Sequence, residues 1–366
     1  MRVEDLSGPF IDDYGPDRSF IRFRPSDLFF WLLRFDFCDL FYFNMALLKV
    51  STVSKQINGN VVLQDISFTQ KKFQKLAIVG ESGSGKSTLL KIIGGLVQPD
   101  SGEVLFENKH VEGPNERLIP GHPKMAYLSQ HFELRNNYRV EEILEYANTL
   151  PEAEAQSLFE ICHISHLLKR KTDQVSGGEK QRIAMARLLI GAPSLFLLDE
   201  PFSNLDILHR NTLRAVIKAM GEKLGITCLL VSHDPADALS WADEILIMKS
   251  GQIIQQDTPE KIYRQPINEY AAGLFGKYNS FTKAEAARFG EIPKGYGNRK
   301  QLFLRPEAFA LSPKKSKTSV AGKITEVTFL GSSYEVEVAL NESIVTIKTD
   351  NNTVSKGDAV YVSFKK

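Results

Sequence analysis

Gly80-Glu81-Ser82-Gly83-Ser84-Gly85-Lys86-Ser87-Thr88 carries the most concentrated chemistry in the chain. Its glycines let successive backbone N–H groups turn toward a polyphosphate with no Cβ in the way, and a helix N-terminus behind them favours the anion. Lys86 is placed to bridge the outer phosphates and the Ser87 hydroxyl to ligate Mg²⁺. The flanks agree. Leu76-Ala77-Ile78-Val79 reads as a strand that ends at the loop, and Leu89-Leu90-Lys91-Ile92-Ile93 as the helix that leaves it. A glycine-rich turn with a surface lysine accounts for neither flank. The loop predicts binding of ATP or GTP, and alone it leaves kinases, small GTPases and helicases open.

Two further groups narrow the choice. Leu195-Phe196-Leu197-Leu198-Asp199-Glu200 ends a buried strand in two carboxylates. Asp199 suits the Mg²⁺ sphere, directly or through water, and Glu200 suits orienting and deprotonating an attacking water. Taken alone, paired acids at a strand end are more often a helix cap or a solvated turn; a phosphate loop upstream reverses that weighting. Val175-Ser176-Gly177-Gly178-Glu179 precedes a helix from Lys180 to Leu189, so Ser176, Gly177 and Gly178 form a second anion cradle suited to a γ-phosphate.

In this order the motifs resemble the nucleotide-binding subunit of an ATP-binding cassette (ABC) transporter over residues 45–275. The resemblance implies an α/β P-loop NTPase domain with a helical subdomain at about 140–190 and ATP and Mg²⁺ as cofactors. It assigns Gln130, at the end of Met125-Ala126-Tyr127-Leu128-Ser129-Gln130, to Mg²⁺ and the attacking water. Ser203-Asn204-Leu205-Asp206 is similar to the family's dimer-contact loop. Val231-Ser232-His233-Asp234 is similar to its histidine switch, with His233 on the γ-phosphate; the other histidines, such as His163 and His166, are expected on ordinary helical surfaces. Each active site in such proteins combines the phosphate loop of one subunit with the serine-glycine signature of its partner, so a homodimer is expected. Two departures stand out. Ile57 occupies the position where relatives carry an adenine-stacking aromatic, and the signature begins with Val175 and ends in Glu179, an added carboxylate that suits a helix N-terminus and approaches a phosphate unfavourably.

The elements that must position these residues are legible in outline. Unbroken apolar runs at Leu195–Leu198, Ile226–Val231 and Ile245–Met248 read as parallel strands buried on both faces. Asp206 caps a helix along Leu213, Ile217, Met220 and Leu224, stopped by Gly225; Asp234-Pro235 opens another. Glycines and Pro293 between 276 and 300 read as a linker. Short strands from 301 to 366 then predict a small all-β barrel, similar to the transport-associated OB (TOBE) domain behind importer ATPases for polyamines, ferric iron, sulfate, molybdate and sugars. Leu304-Arg305-Pro306-Glu307 carries part of that likeness. The barrel is read either as a passive stabiliser or as a regulatory ligand site.

Composition bounds the rest. Lysine and arginine total 45 against 44 acids, a net charge of +1, so nucleic acid is not expected as a partner. Cys38, Cys162 and Cys228 are scattered, which predicts free thiols. The nearest candidate for a membrane span, Leu28 to Phe43, is broken by Arg34, Asp36 and Asp39. Nine of the 23 phenylalanines fall in the first 44 residues without helical or strand period. A surface anchor, a cleaved signal and an extension translated from a misassigned start compete there, and the third is favoured. The expected protein is the peripheral ATPase of an importer at the cytoplasmic face of the membrane, partnered by transmembrane permease subunits and a solute-binding protein. A ribosome- or DNA-acting ABC-type ATPase and an ATPase gated by ligand sensing in the barrel are the alternatives.

Overall fold

A computed structural model of the chain describes residues 46–130, 134, 136–203, 205–296, 299–341 and 343–365. The N-terminal extension at 1–44, with Cys38, and Asn204 of the dimer-contact loop lie outside the described residues.

An antiparallel sheet opens the fold, with β1 (Ala46–Ile57), β2 (Asn60–Lys71), β4 (Ser101–Phe106) and β5 (Lys109–His110) in the order β2–β1–β4–β5. Asn58 (φ 51°) and Gly59 (φ 80°) are both left-handed, the conformation a two-residue hairpin needs, so Ile57 pairs with Asn60. The central sheet runs β10–β9–β3–β8–β7–β6, from β3 (Lys75–Val79), β6 (Met125–Leu128), β7 (Leu195–Asp199), β8 (Thr227–Ser232), β9 (Glu244–Lys249) and β10 (Gln252–Asp257). All neighbours are parallel except β10 on β9. Every residue of β7 and β8 is buried. Alternation sends Ala77, Val79, Phe196, Leu198, Cys228 and Leu230 into one core and Leu76, Ile78, Leu195, Leu197, Leu229 and Val231 into a second.

Because these strands are parallel, the phosphate loop after β3, Asp199 at the end of β7 and His233 after β8 all emerge at one edge of the sheet. Behind them lie α1 (Lys86–Ile93), α5 (Ile207–Leu224) and α6 (Pro235–Trp241). Asp206 caps α5 by accepting the His209 N–H at 2.9 Å, and Gly225 ends it at φ 61°. Leu213, Ile217 and Met220 are buried, whereas Leu224 is partly exposed at the last turn. The helical insertion comprises α2 (Val140–Ala147), α3 (Glu152–Ile161) and α4 (Gly177–Leu189), the last starting three residues before the expected Lys180. Cys162 and Cys228 are free and buried, and burial pushes both thiols up to about 12. Among the described residues no helix is long and apolar enough to cross a membrane.

After α7 (Pro259–Arg264) and α8 (Glu269–Leu274), the stretch read as a linker at 276–300 is built into the C-terminal unit. It carries β11 (Asn279–Thr282), paired antiparallel with β12 (Gln301–Leu304), and α9 (Lys283–Ala286). Its glycines and proline suggested a loop, but Phe281 and Phe289 anchor it on Phe309 at ring separations of 6.1 and 5.4 Å. Thr282 and Glu285 form a capping box that the sequence does display. Strands β13 (Phe309–Ser312), β14 (Val320–Phe329), β15 (Tyr334–Ala339), β16 (Ile344–Thr349) and β17 (Ala359–Phe364) follow in the antiparallel order β13–β17–β14–β15–β16. The edge strands β13 and β16 return beside each other around one core of Phe309, Val336, Ile347 and Val362. Sequence reading missed β13.

Candidate functional site

The phosphate loop is glycine-rich for reasons the structure makes specific. A Cβ on Gly80 would stand 2.3 Å from the Met248 carbonyl oxygen, and one on Gly85 2.6 Å from that of Val62. Gly85 (φ 96°) and Gly83 (φ 82°) are also left-handed. Ser84 is buried, and its carbonyl accepts the Gly251 N–H at 3.2 Å. Lys86 is only 4% exposed. Its ammonium donates to the carbonyls of Gly80 at 2.9 Å and Glu81 at 2.8 Å and to Ser84 Oγ at 3.4 Å. Burial pulls its pKa down, while Glu200, Asp199 and Glu81 push it back up. Glu81 and Ser82 are exposed; Ser87 and Thr88 are the second and third residues of α1.

Ser87 Oγ donates to Asp199 Oδ1 at 2.8 Å, across from the end of β7. The other oxygen, Oδ2, accepts the Tyr127 hydroxyl at 2.8 Å. Burial and this bond hold the Tyr127 phenol far above its ordinary value. A hydroxyl facing a buried carboxylate is the donor pair that Mg²⁺ accepts beside substrate phosphates, so the residues fit that ion.

Glu200, next in the chain, is left-handed at φ 48° without being glycine, a conformation costing roughly 1 kcal/mol. The turn aims its carboxylate at three partners. Oε2 lies 2.9 Å from His233 Nδ1, 2.9 Å from Ser203 Oγ and 3.4 Å from Gln130 Nε2. An ionised carboxylate only accepts, so Nδ1 carries the ring proton in this contact and Nε2 is left for a ligand. His233 is steadied by its neighbours: Asp234 caps α6 through Ala236 N–H at 3.0 Å, and Arg210 Nη1 binds Asp234 Oδ2 at 2.7 Å. The structure therefore brings Gln130, Glu200 and His233 together, beside the Ser87–Asp199 pair.

The signature segment stands apart from them. Ser176 is the N-cap of α4, with its Oγ accepting the Glu179 N–H at 3.3 Å. The Glu179 carboxylate turns back to accept the Ser176 N–H at 2.7 Å, which holds it below the usual carboxylate range. The added acid is thus a capping-box partner. Among the described residues, no hydrogen bond of 176–179 reaches the phosphate loop. Ile57, 43% exposed, ends β1 at the hairpin, where it pairs with Asn60.

Comparison with known proteins agrees. The ABC transporter family matches residues 63–203 and the TOBE domain family matches 302–366. The sulfate/thiosulfate import ATP-binding protein CysA of Synechocystis is 33% identical over 307 residues, 81% of this chain and 86% of that one. The chain belongs to the ATP-binding subunits of ABC transporters. Such subunits bind and hydrolyse ATP, and this ABC ATPase carries a TOBE domain behind its catalytic domain. The spermidine/putrescine import ATP-binding protein PotA of Mycoplasma capricolum is also 33% identical, over 80% of this chain and 88% of its own. Among solved structures, the ATP-binding cassette MJ0796, dimeric and bound to ADP and Pi after hydrolysis, superposes with a TM-score of 0.50 at 27% identity. That match covers 58% of this chain and 98% of the other.

Two residues of this ABC ATPase site escaped sequence reading. Tyr127 received no role within residues 125–130, and its bond to Asp199 follows only from β6 lying beside β7 in parallel register. His209 was passed over among the histidines. Its ring explains Gly178, because a Cβ there would sit 2.4 Å from His209 Cδ2, and Nδ1 is tied to Asp206 Oδ2 at 2.7 Å. Gln181, which donates to the Pro201 carbonyl, links α4 to the turn after Glu200.

Proposed function

We propose that two copies of this chain sandwich ATP and Mg²⁺ and drive an importer of a small solute or ion, of the polyamine, iron, oxyanion or sugar class. The observation that carries the reading is the gathering of His233, Ser203 and Gln130 on one carboxylate oxygen of Glu200, beside the Asp199–Ser87 pair. Lys86 and the loop amides Gly80, Glu81, Ser82, Gly83, Ser84 and Gly85 hold the phosphates, with Ser87 and Thr88 at the helix start. Mg²⁺, when bound, would be held by Ser87 and Asp199, with Gln130 in reach, and would neutralise charge on the phosphates. Glu200 orients a water and takes its proton; Gln130 senses that water, and His233 Nε2 faces the γ-phosphate.

The partner copy completes the site with its own Ser176, Gly177, Gly178 and Glu179, and Ile57 packs on the adenine in place of a stacked ring. Closure on ATP and opening after hydrolysis work membrane-embedded permease subunits from the cytoplasmic face, and a solute-binding protein delivers the cargo. Relatives named as sulfate/thiosulfate and spermidine/putrescine import subunits support the importer reading. Purification of the complex in mild detergent tests it. A multi-spanning subunit should copurify, and the reconstituted assembly should take up solute only with ATP; a stable complex lacking any membrane subunit would sink the reading.

A further inference from the structure

The shoulder of the phosphate loop is held by a residue from far along the chain. Asn268 caps α8 through the Ala271 N–H at 2.9 Å, and Ala271 and Ala272 are buried. Between cap and core, half-buried Tyr270 reaches the site. Its hydroxyl accepts the Glu81 N–H at 2.9 Å and donates to the Met248 carbonyl at 3.1 Å. That carbonyl is the one against which Gly80 is packed. The Lys249 ammonium lies 4.6 Å over the Tyr270 ring. The hydroxyl thus bridges the end of β9 to the loop's first peptides, and the carbonyl of the residue it holds, Glu81, accepts Lys86 Nζ.

The far end of α8 is held in turn. Arg305, 3% exposed and just beyond β12, donates through Nη1 to the carbonyls of Ala272 at 2.9 Å, Gly276 at 3.0 Å and Lys277 at 3.2 Å. Its Nε donates to the Tyr263 carbonyl at 2.9 Å, and the guanidinium lies 4.3 Å over the Tyr263 ring. One side chain of the C-terminal unit therefore closes the end of the helix that carries Tyr270.

We propose that Tyr270 is a positioning residue of the phosphate loop, and that Arg305 holds its helix so that the seating of the C-terminal barrel sets how firmly the loop grips ATP. This rests on the reading of the loop as the ATP site. Without the hydroxyl, the Gly80–Glu81 peptide is free to rotate and its carbonyl, that of Gly80, leaves Lys86, which costs affinity; Glu200 and His233 do not touch Tyr270, so the chemical step is spared.

The test is Mg·ATP titration and turnover of the full chain. Tyr270→Phe should weaken Mg·ATP binding roughly threefold to tenfold, the worth of one hydrogen bond, and leave kcat within about twofold. The Glu81 amide should also exchange its hydrogen faster. Tyr278→Phe, which deletes a hydroxyl bonded to Glu269 at 2.8 Å, should leave both readouts unchanged. Wild-type affinity in Tyr270→Phe overturns the proposal provided Lys86→Ala has lost ATP; retained binding in Lys86→Ala instead overturns the site reading beneath it. Arg305→Lys, which keeps the charge and loses the planar fork, should weaken binding in the wild-type background and add nothing in Tyr270→Phe. Equal losses in both backgrounds would remove Arg305 from the account. Should Arg305→Lys not fold, Glu307→Ala, which releases the Tyr263 hydroxyl beneath the guanidinium, makes the same comparison.

Discussion

The two glycine-rich helix starts of this ATPase are alike in sequence and opposite in circumstance. In the phosphate loop Lys86 and Ser84 are buried, the Lys86 ammonium is held on three oxygens, and Asp199 stands against Ser87. Lys86 aside, it is braced from elsewhere in the chain, by β9, by Gly251 and by Tyr270. In the signature, Ser176 and Glu179 satisfy each other and Gly177 faces open space. One cradle is assembled within a single copy. The other is a self-capped tip that needs no ligand for its hydrogen bonds, in keeping with the proposal that it meets a phosphate across a dimer. Under the proposed function, local stability and ligand binding are separated in the signature and fused in the phosphate loop.

Substitutions can break that contrast, beginning with the largest effect. Lys86→Ala should abolish ATP binding by calorimetry, because no other described cation occupies the loop's carbonyl cage; retained affinity would dissolve the distinction. Glu200→Gln should cut turnover by about 10² to 10⁴, the usual worth of a general base, while ATP remains bound and the paired form accumulates on size exclusion. Loss of nucleotide binding there would mean the glutamate serves the cradle and not the water.

The signature glycines should part company. Gly178→Ala places a methyl 2.4 Å from His209 and is expected to cost about 1–3 kcal/mol in thermal or denaturant unfolding, whereas Gly177→Ala, with open space at a helical position, should leave stability unchanged or raise it by up to about 1 kcal/mol and slow hydrolysis instead. The smallest effect belongs to Glu179→Gln. The Ser176 N–H lowers the Glu179 carboxyl, so its stabilisation is complete above the unfolded value near 4.5 and fades as pH falls through the lower folded value. The substitution should cost about 0.5 kcal/mol at neutral pH and progressively less as pH falls below 4.5, read from paired melting curves.

How much was legible beforehand depended on whether a function lay within one stretch of chain. Gly80–Thr88, Asp199-Glu200 and Ser176–Glu179 could be read because spacing and flanks are local. Tyr127, His209 and Tyr270 could not, since each is an ordinary aromatic in its own element and acquires meaning only from a strand or loop brought beside it. The stretch at 276–300 looked like a linker on its glycines, and the docking of Phe281 and Phe289 on Phe309 made it part of the C-terminal core.

From the order of residues alone came the strand–loop–helix cradle, the carboxylate pair, the helix caps at Asp206 and Asp234 and the all-β character of the C-terminal segment, because each depends on hydrogen bonds and periodicities spanning a few positions. Tertiary structure decided which oxygen of Glu200 collects His233, Ser203 and Gln130, why Gly80 and Gly178 admit no side chain, and how Tyr270 and Arg305 tie the barrel to the phosphate loop. Those facts are distances between groups far apart along the chain, fixed only once a parallel sheet gathers its strand ends on one edge and the helices close around it.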